Sequence, residues 1–111
     1  MKKYCWMATA LLLVLTPPVQ SRADEVTVEI EMNNGVITPQ RLEVPANTRF
    51  RLIIKNTGTM PAEFESKELH KEEVVAAGAT GRMIFRKLEP GEYSFVDDFS
   101  PDAPPAVLIA K

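Results

Sequence analysis

The chain has 111 residues, 15 acidic against 13 basic, with a formal charge of −2, a single cysteine and a single histidine. That length holds one domain. The counts exclude a disulfide framework and any multi-histidine site within one chain, and the mildly acidic balance argues against nucleic acid and anionic lipid as partners.

The first residues read as a secretory signal. Met1-Lys2-Lys3 is positive, residues 8–15 are almost unbroken apolar chain, and Ser21-Arg22-Ala23 carries small residues at the two positions a signal peptidase reads. The apolar run is too short for a stable membrane anchor. The expected division is a cleaved signal peptide over residues 1–23 and one exported domain over 24–111. Cleavage removes Lys2, Lys3 and Arg22 with no acid, which takes the formal charge from −2 to −5. Cys5 precedes the apolar run, so it is no lipid-attachment site, and the exported part has neither disulfide nor thiolate.

Strands are expected throughout the rest. Residues 25–32 alternate, with Val26, Val28, Ile30 and Met32 on one face. Asn33-Asn34-Gly35 predicts a tight turn into a short strand at 35–38, interrupted by Pro39 and resumed over Arg41–Val44. Phe50, Leu52 and Ile54 alternate with charged residues in the next strand, which Asn56-Thr57-Gly58 ends. Ala62–Glu65 begins a strand with Phe64 inward and Glu63 and Glu65 outward. Residues 66–73 are polar and are expected to hold one helical turn, followed by a brief strand at Val74-Val75 and a loop over 76–81. Further strands are expected at 82–88, at 93–96 after a type II turn at Pro90-Gly91, and at 106–110, whose continuous apolarity predicts a central position. Seven or eight short strands with regular turns give an all-β sandwich. The stretches around 56–66 and 90–101 should meet at one end of it, where loops carry function.

The order Pro39-x-x-Leu42-x-Val44, then Asn56 with Glu63-Phe64-Glu65, then Pro90-Gly91-Glu92-Tyr93 resembles a cupredoxin. It is most similar to the EfeO-type cupredoxin-like domains of bacterial periplasmic iron-uptake systems. The resemblance covers nearly all of residues 25–111 and implies a Greek-key β-sandwich with a metal site, usually copper, at the loop end. It places the blue-copper ligands at Ala62, Asp97, Ser100 and the Ala103–Pro104 step, none of which is Cys, His or Met. The soft thiolate that sets a blue-copper site is therefore missing. The EfeO-type ligand positions fall at Ile37, Glu63 and Asp97.

A site assembled from Glu63 and Asp97, with Glu65, Asp98 or Met60 beside them, would be oxygen-rich. Such a site suits iron or manganese better than tight Cu(II), while the Met60 thioether would suit Cu(I). Parity places Asp97 inward with Tyr93 and Phe95, where its carboxylate must be paired, hydrogen-bonded or metal-bound. Backbone N–H groups that lock the loop are its structural alternative. His70 sits in an exposed polar segment. No nucleophile beside an oriented base, phosphate loop or metal-hydrolase motif occurs, so no enzyme activity is expected. The expected function is a periplasmic accessory protein of metal transport, with iron the leading cargo, which binds or hands over a copper or iron ion. The alternative is a metal-free module whose end loops dock onto a permease or another periplasmic protein, meeting the membrane only through that partner.

Overall fold

A computed structural model describes residues 10–17 and 25–111. Residues 10–17 have no regular secondary structure, and Leu11 to Leu15 are exposed. The rest of the expected signal peptide, Cys5 included, lies outside the described residues. No described helix is long and apolar enough to cross a membrane.

Nine strands follow: β1 (Val26–Asn33), β2 (Val36–Thr38), β3 (Arg41–Val44), β4 (Phe50–Asn56), β5 (Ala62–Ser66), β6 (Lys71–Val75), β7 (Thr80–Phe85), β8 (Gly91–Asp97) and β9 (Ala106–Ala110). They form two sheets, ordered β2-β1-β4-β7 and β3-β9-β8-β5-β6. The parallel pairs β1–β4 and β3–β9 join strands distant in sequence, and the chain changes sheets at Pro39. The expected all-β sandwich is observed, with β9 inside its sheet between β3 and β8.

Alternation puts Ile30, Met32, Phe50, Leu52 and Ile54 of one sheet against Phe64, Phe95 and Leu108 of the other, all essentially inaccessible. Phe50 and Phe85 stack at 4.9 Å, Phe64 and Phe95 at 4.6 Å, and Phe64 meets Phe85 edge-on at 6.3 Å. Each such ring contributes roughly 1.5–3 kcal/mol by leaving water. This core is the platform for the polar end.

That end is closed by the β1–β2 turn. Asn34 and Gly35 both have positive φ, as the Asn-Gly signal requires. Asn34 Oδ1 accepts the N–H groups of Thr59 (2.9 Å) and Met60 (3.3 Å). Gly58 makes this approach possible, since a Cβ there would stand 2.7 Å from the Asn34 nitrogen.

Four local expectations are corrected. The described residues form nine strands rather than seven or eight. Residues 67–70 form a turn, and Lys71-Glu72-Glu73 belong to β6 rather than to a helical turn. Lys71 lies inward there, donating from Nζ to the Ile84 carbonyl at 3.0 Å, 5.5 Å from the Phe85 ring centre. The strand expected at 82–88 starts at Thr80 and stops at Phe85. Gly91 has φ 159°, far from the roughly +80° of a type II turn, and opens β8 directly.

Candidate functional site

β5 is the inner support of the site. Ala62, Phe64 and Ser66 are buried, while Glu63 and Glu65 stand half-buried on the outer face, as strand parity requires. β5 pairs antiparallel with β6 on one side (Glu65 opposite Glu72) and with β8 on the other (Phe64 opposite Asp97, Glu65 opposite Val96).

Asp97, the last residue of β8, is 3 % exposed and faces inward beside Phe64. Its Oδ1 accepts the Glu63 N–H at 3.0 Å and the Phe99 N–H at 3.1 Å. Charge-assisted bonds of this kind offset the desolvation of a buried carboxylate. The chain then turns, with Ser100 N–H donating to the Asp97 carbonyl and Asp98 N–H donating to the Glu63 carbonyl. This delivers the exposed Asp98 to the outer face.

Glu63, Glu65 and Asp98 there offer carboxylate oxygens within 4.8 Å of one another. Loss of water is the main cause that holds the Glu63 carboxyl above its ordinary value. The charges of Asp98 and Glu72, a hydrogen bond with Glu72 and the charge of Asp97 add to it. Glu65 is also raised, chiefly by a hydrogen bond with Asp98 that requires a proton, then by partial burial and Asp98's charge, with Lys67 pulling the other way. Such a cluster resists full ionisation and has the hard oxygen chemistry that suits Fe(II), Mn(II), Mg(II) or Ca(II). An open groove of about 340 Å³ adjoins it, lined by Glu65, Lys67, Ser94, Val96 and Asp98.

The five residues expected to hold a metal therefore divide. Glu63, Glu65 and Asp98 come together on the outer face. Asp97 lies on the opposite face of the same sheet, engaged with amides. Met60 is 48 % exposed in the β4–β5 loop. His70, with φ 51°, lines a neighbouring groove with Glu65 and Glu72. Ile37 is buried core.

Sequence reasoning missed two contributors. Glu72, placed by the sequence in a polar helical turn, faces Glu65 across β5–β6 and helps to raise the Glu63 carboxyl. Asn56 was read as a strand end, but its Nδ2 donates to the Met60 carbonyl (2.8 Å) and the Val75 carbonyl (3.0 Å), and its Oδ1 accepts the Gly58 N–H. The signal for Asn56 was available: it continues the inward parity of Phe50, Leu52 and Ile54.

The donor set does not fit a thiolate–imidazole copper centre. Ala62 is buried, Asp97 is engaged with amides, and Ser100 packs against Gly35, its Cβ 2.9 Å from where a Gly35 Cβ would stand. No side-chain nitrogen or sulfur donor occupies these positions.

Comparison with known proteins adds three kinds of likeness. Residues 5–110 match the family described as Cupredoxin-like domain. The uncharacterized protein RP394 of Rickettsia prowazekii (strain Madrid E) is 31 % identical over 110 residues, covering 96 % of this chain and 88 % of its own. Among solved structures, reduced auracyanin from Roseiflexus castenholzii superposes with a TM-score of 0.64 at 14 % identity, covering 80 % of this chain and 99 % of its own. The metal-binding domain of the Cu(I)-exporting P-type ATPase CopA of Streptococcus pneumoniae, solved with Cu(I), superposes with a TM-score of 0.62 at 12 % identity, covering 82 % and 91 %. At these identities the two structures share the fold alone.

Proposed function

Because this chain belongs to the cupredoxin-like domain family, we propose that it serves metal transport in the periplasm as an EfeO-type accessory protein of iron uptake. It takes a hard divalent cation as cargo and passes it to a partner such as a permease, with no catalysis of its own. The observation that carries this reading is the convergence of Glu63, Glu65 and Asp98, their oxygens within 4.8 Å. Like charges facing one another are destabilising unless protonated or bridged by a cation. An open, exposed site suits a cargo that must leave again, and three carboxylates favour Fe(II) or Mn(II) over copper.

Calorimetric titration with Fe(II) under reducing conditions, Mn(II), Cu(II) and Cu(I) tests the reading. Binding of Fe(II) or Mn(II) that is lost in the Glu63→Gln/Asp98→Asn variant supports it. Tight Cu(I) with no heat from the hard cations refutes it.

A second reading has its own support. The loop end is closed by satisfied hydrogen bonds around Asn56 and Asp97, and it presents Met60 and Phe99 about half exposed. Such an end suits a metal-free module that docks onto a partner protein. A partner interaction that survives chelation and the variant above favours this second reading.

A further inference from the structure

We propose that Asp97 is the positioning residue of the carboxylate site: its buried carboxylate clamps Glu63 to the Asp98–Phe99 turn and so sets where the three outer carboxylates stand. The proposal rests on the cation-site reading and gives Asp97 a role other than ligation.

Asp97 and the cluster lie on opposite faces of one sheet. Asp97 is on the inner face opposite Phe64, 3 % exposed, whereas Glu63, Glu65 and Asp98 are on the outer face. A cation held by the outer three therefore lies across the sheet from the Asp97 side chain. The register between β5 and β8 covers just two pairs, Phe64–Asp97 and Glu65–Val96. Beyond Phe64, the Glu63 peptide is held by its N–H on Asp97 Oδ1 (3.0 Å) and by its carbonyl, which accepts the Asp98 N–H (2.9 Å).

The same Oδ1 accepts the Phe99 N–H at 3.1 Å, and the Asp97 carbonyl accepts Ser100 N–H at 3.0 Å. One oxygen therefore fixes the residues on either side of the cluster: Glu63 directly, and Asp98 because the residues before and after it are tied. Glu65 follows two residues along the same strand. Without the acceptor, the Glu63 and Phe99 amides lose their partner, and the turn carrying Asp98 is held to β5 only by the bond from the Asp98 N–H to the Glu63 carbonyl. Support of this kind sets ligand spacing as firmly as the ligands themselves.

The test compares Asp97→Asn, which keeps a side-chain carbonyl acceptor and drops the charge, with Asp97→Ala, which drops both. Two readouts are taken: the carboxyl-carbon chemical shifts of Glu63, Glu65 and Asp98 without metal, and Mn(II) affinity. In D97A the carboxyl signals move and Mn(II) binding weakens by about tenfold or more. In D97N the signals hold and affinity stays within about threefold of the parent.

Unmoved carboxyl signals in folded D97A overturn the proposal. Equal loss of Mn(II) affinity in D97N and D97A also overturns it, because the site would then depend on the charge of Asp97 and not on the amide bonds that its oxygen accepts. Should D97A fail to fold, Asp97→Ser, whose hydroxyl is too short to reach both amides, takes its place with the same criteria. If the parent protein takes up no Mn(II), the cation-site reading falls and the carboxyl signals alone decide whether Asp97 positions the cluster.

Discussion

The outer faces of the two sheets are built from the same alternation of charged and apolar residues, yet the four-stranded sheet and the β5–β6 edge of the five-stranded sheet treat charge in opposite ways, while Arg41–Glu92 and Lys111–Glu43 pair at the far edge of the latter. On the four-stranded sheet the acids of β1 and its approach meet cations on β4 and its own approach. Glu25 pairs with Arg49 (3.3 Å) and Arg51 (2.9 Å), and Glu29 pairs with Lys55 (3.1 Å). On the five-stranded sheet, across β5, β6 and β8, acids meet acids: Glu63, Glu65, Glu72 and Asp98. The first arrangement completes itself within the chain. The second is satisfied by protons or by a cation from outside, which is why the functional reading rests there and not on the opposite face, whose charges are paired.

The comparison breaks most visibly if the acid face is neutralised. Glu63→Gln, Glu65→Gln and Asp98→Asn together are expected to lower Fe(II) and Mn(II) affinity at least about hundredfold, whereas Glu29→Gln leaves it unchanged; titration calorimetry of both variants decides. A smaller effect is expected on stability. Mn(II) at a hundred times its dissociation constant should add about 2.7 kcal/mol to unfolding, removed by a chelator and absent in the triple variant.

Smaller again is the pH response of the metal-free protein. Glu63 and Glu65 hold their protons more tightly when folded than when unfolded. The folded chain therefore binds more protons across the window that opens at the ordinary glutamate value and closes just above the raised ones. Their contribution is complete below that window and lost as pH rises through it. Melts from about pH 4 to about pH 7 should show stability falling over that window, with a shallower slope in Glu63→Gln/Glu65→Gln.

How much of this was legible in the sequence depended on whether a residue's partners were local. The inward rows of β1 and β4, the Asn34-Gly35 turn and the central place of β9 follow from patterns a few residues long. Only the Val74-Val75 end of β6 was legible, because the inward residues of its first half include Lys71, whose place is made by a carbonyl of β7 and the Phe85 ring. Parity put Glu63 and Glu65 outward and Asp97 inward, so the halves of the site could be named. It could not say that Glu63, Glu65 and Asp98 would converge while Asp97 stayed behind the sheet. That outcome depends on the β5–β8 register and on the turn after Asp97, both of which are long-range.

The smallest expected effects have opposite signs on the two faces. Glu65→Gln removes a group that is held above its ordinary value mainly by Asp98, so the metal-free protein should melt about one to three degrees higher at neutral pH. Glu25→Gln removes the shared partner of Arg49 and Arg51, and partly exposed pairs of this kind contribute about 0.2–1 kcal/mol, so the protein should melt slightly lower. Added salt separates the two further. Screening weakens the Glu25 pairs and relieves the Glu63–Glu65–Asp98 repulsion, so the gap between the variants should shrink from both sides as ionic strength rises. A gap that stays constant from low to high salt would mean that packing, not charge, distinguishes the two faces.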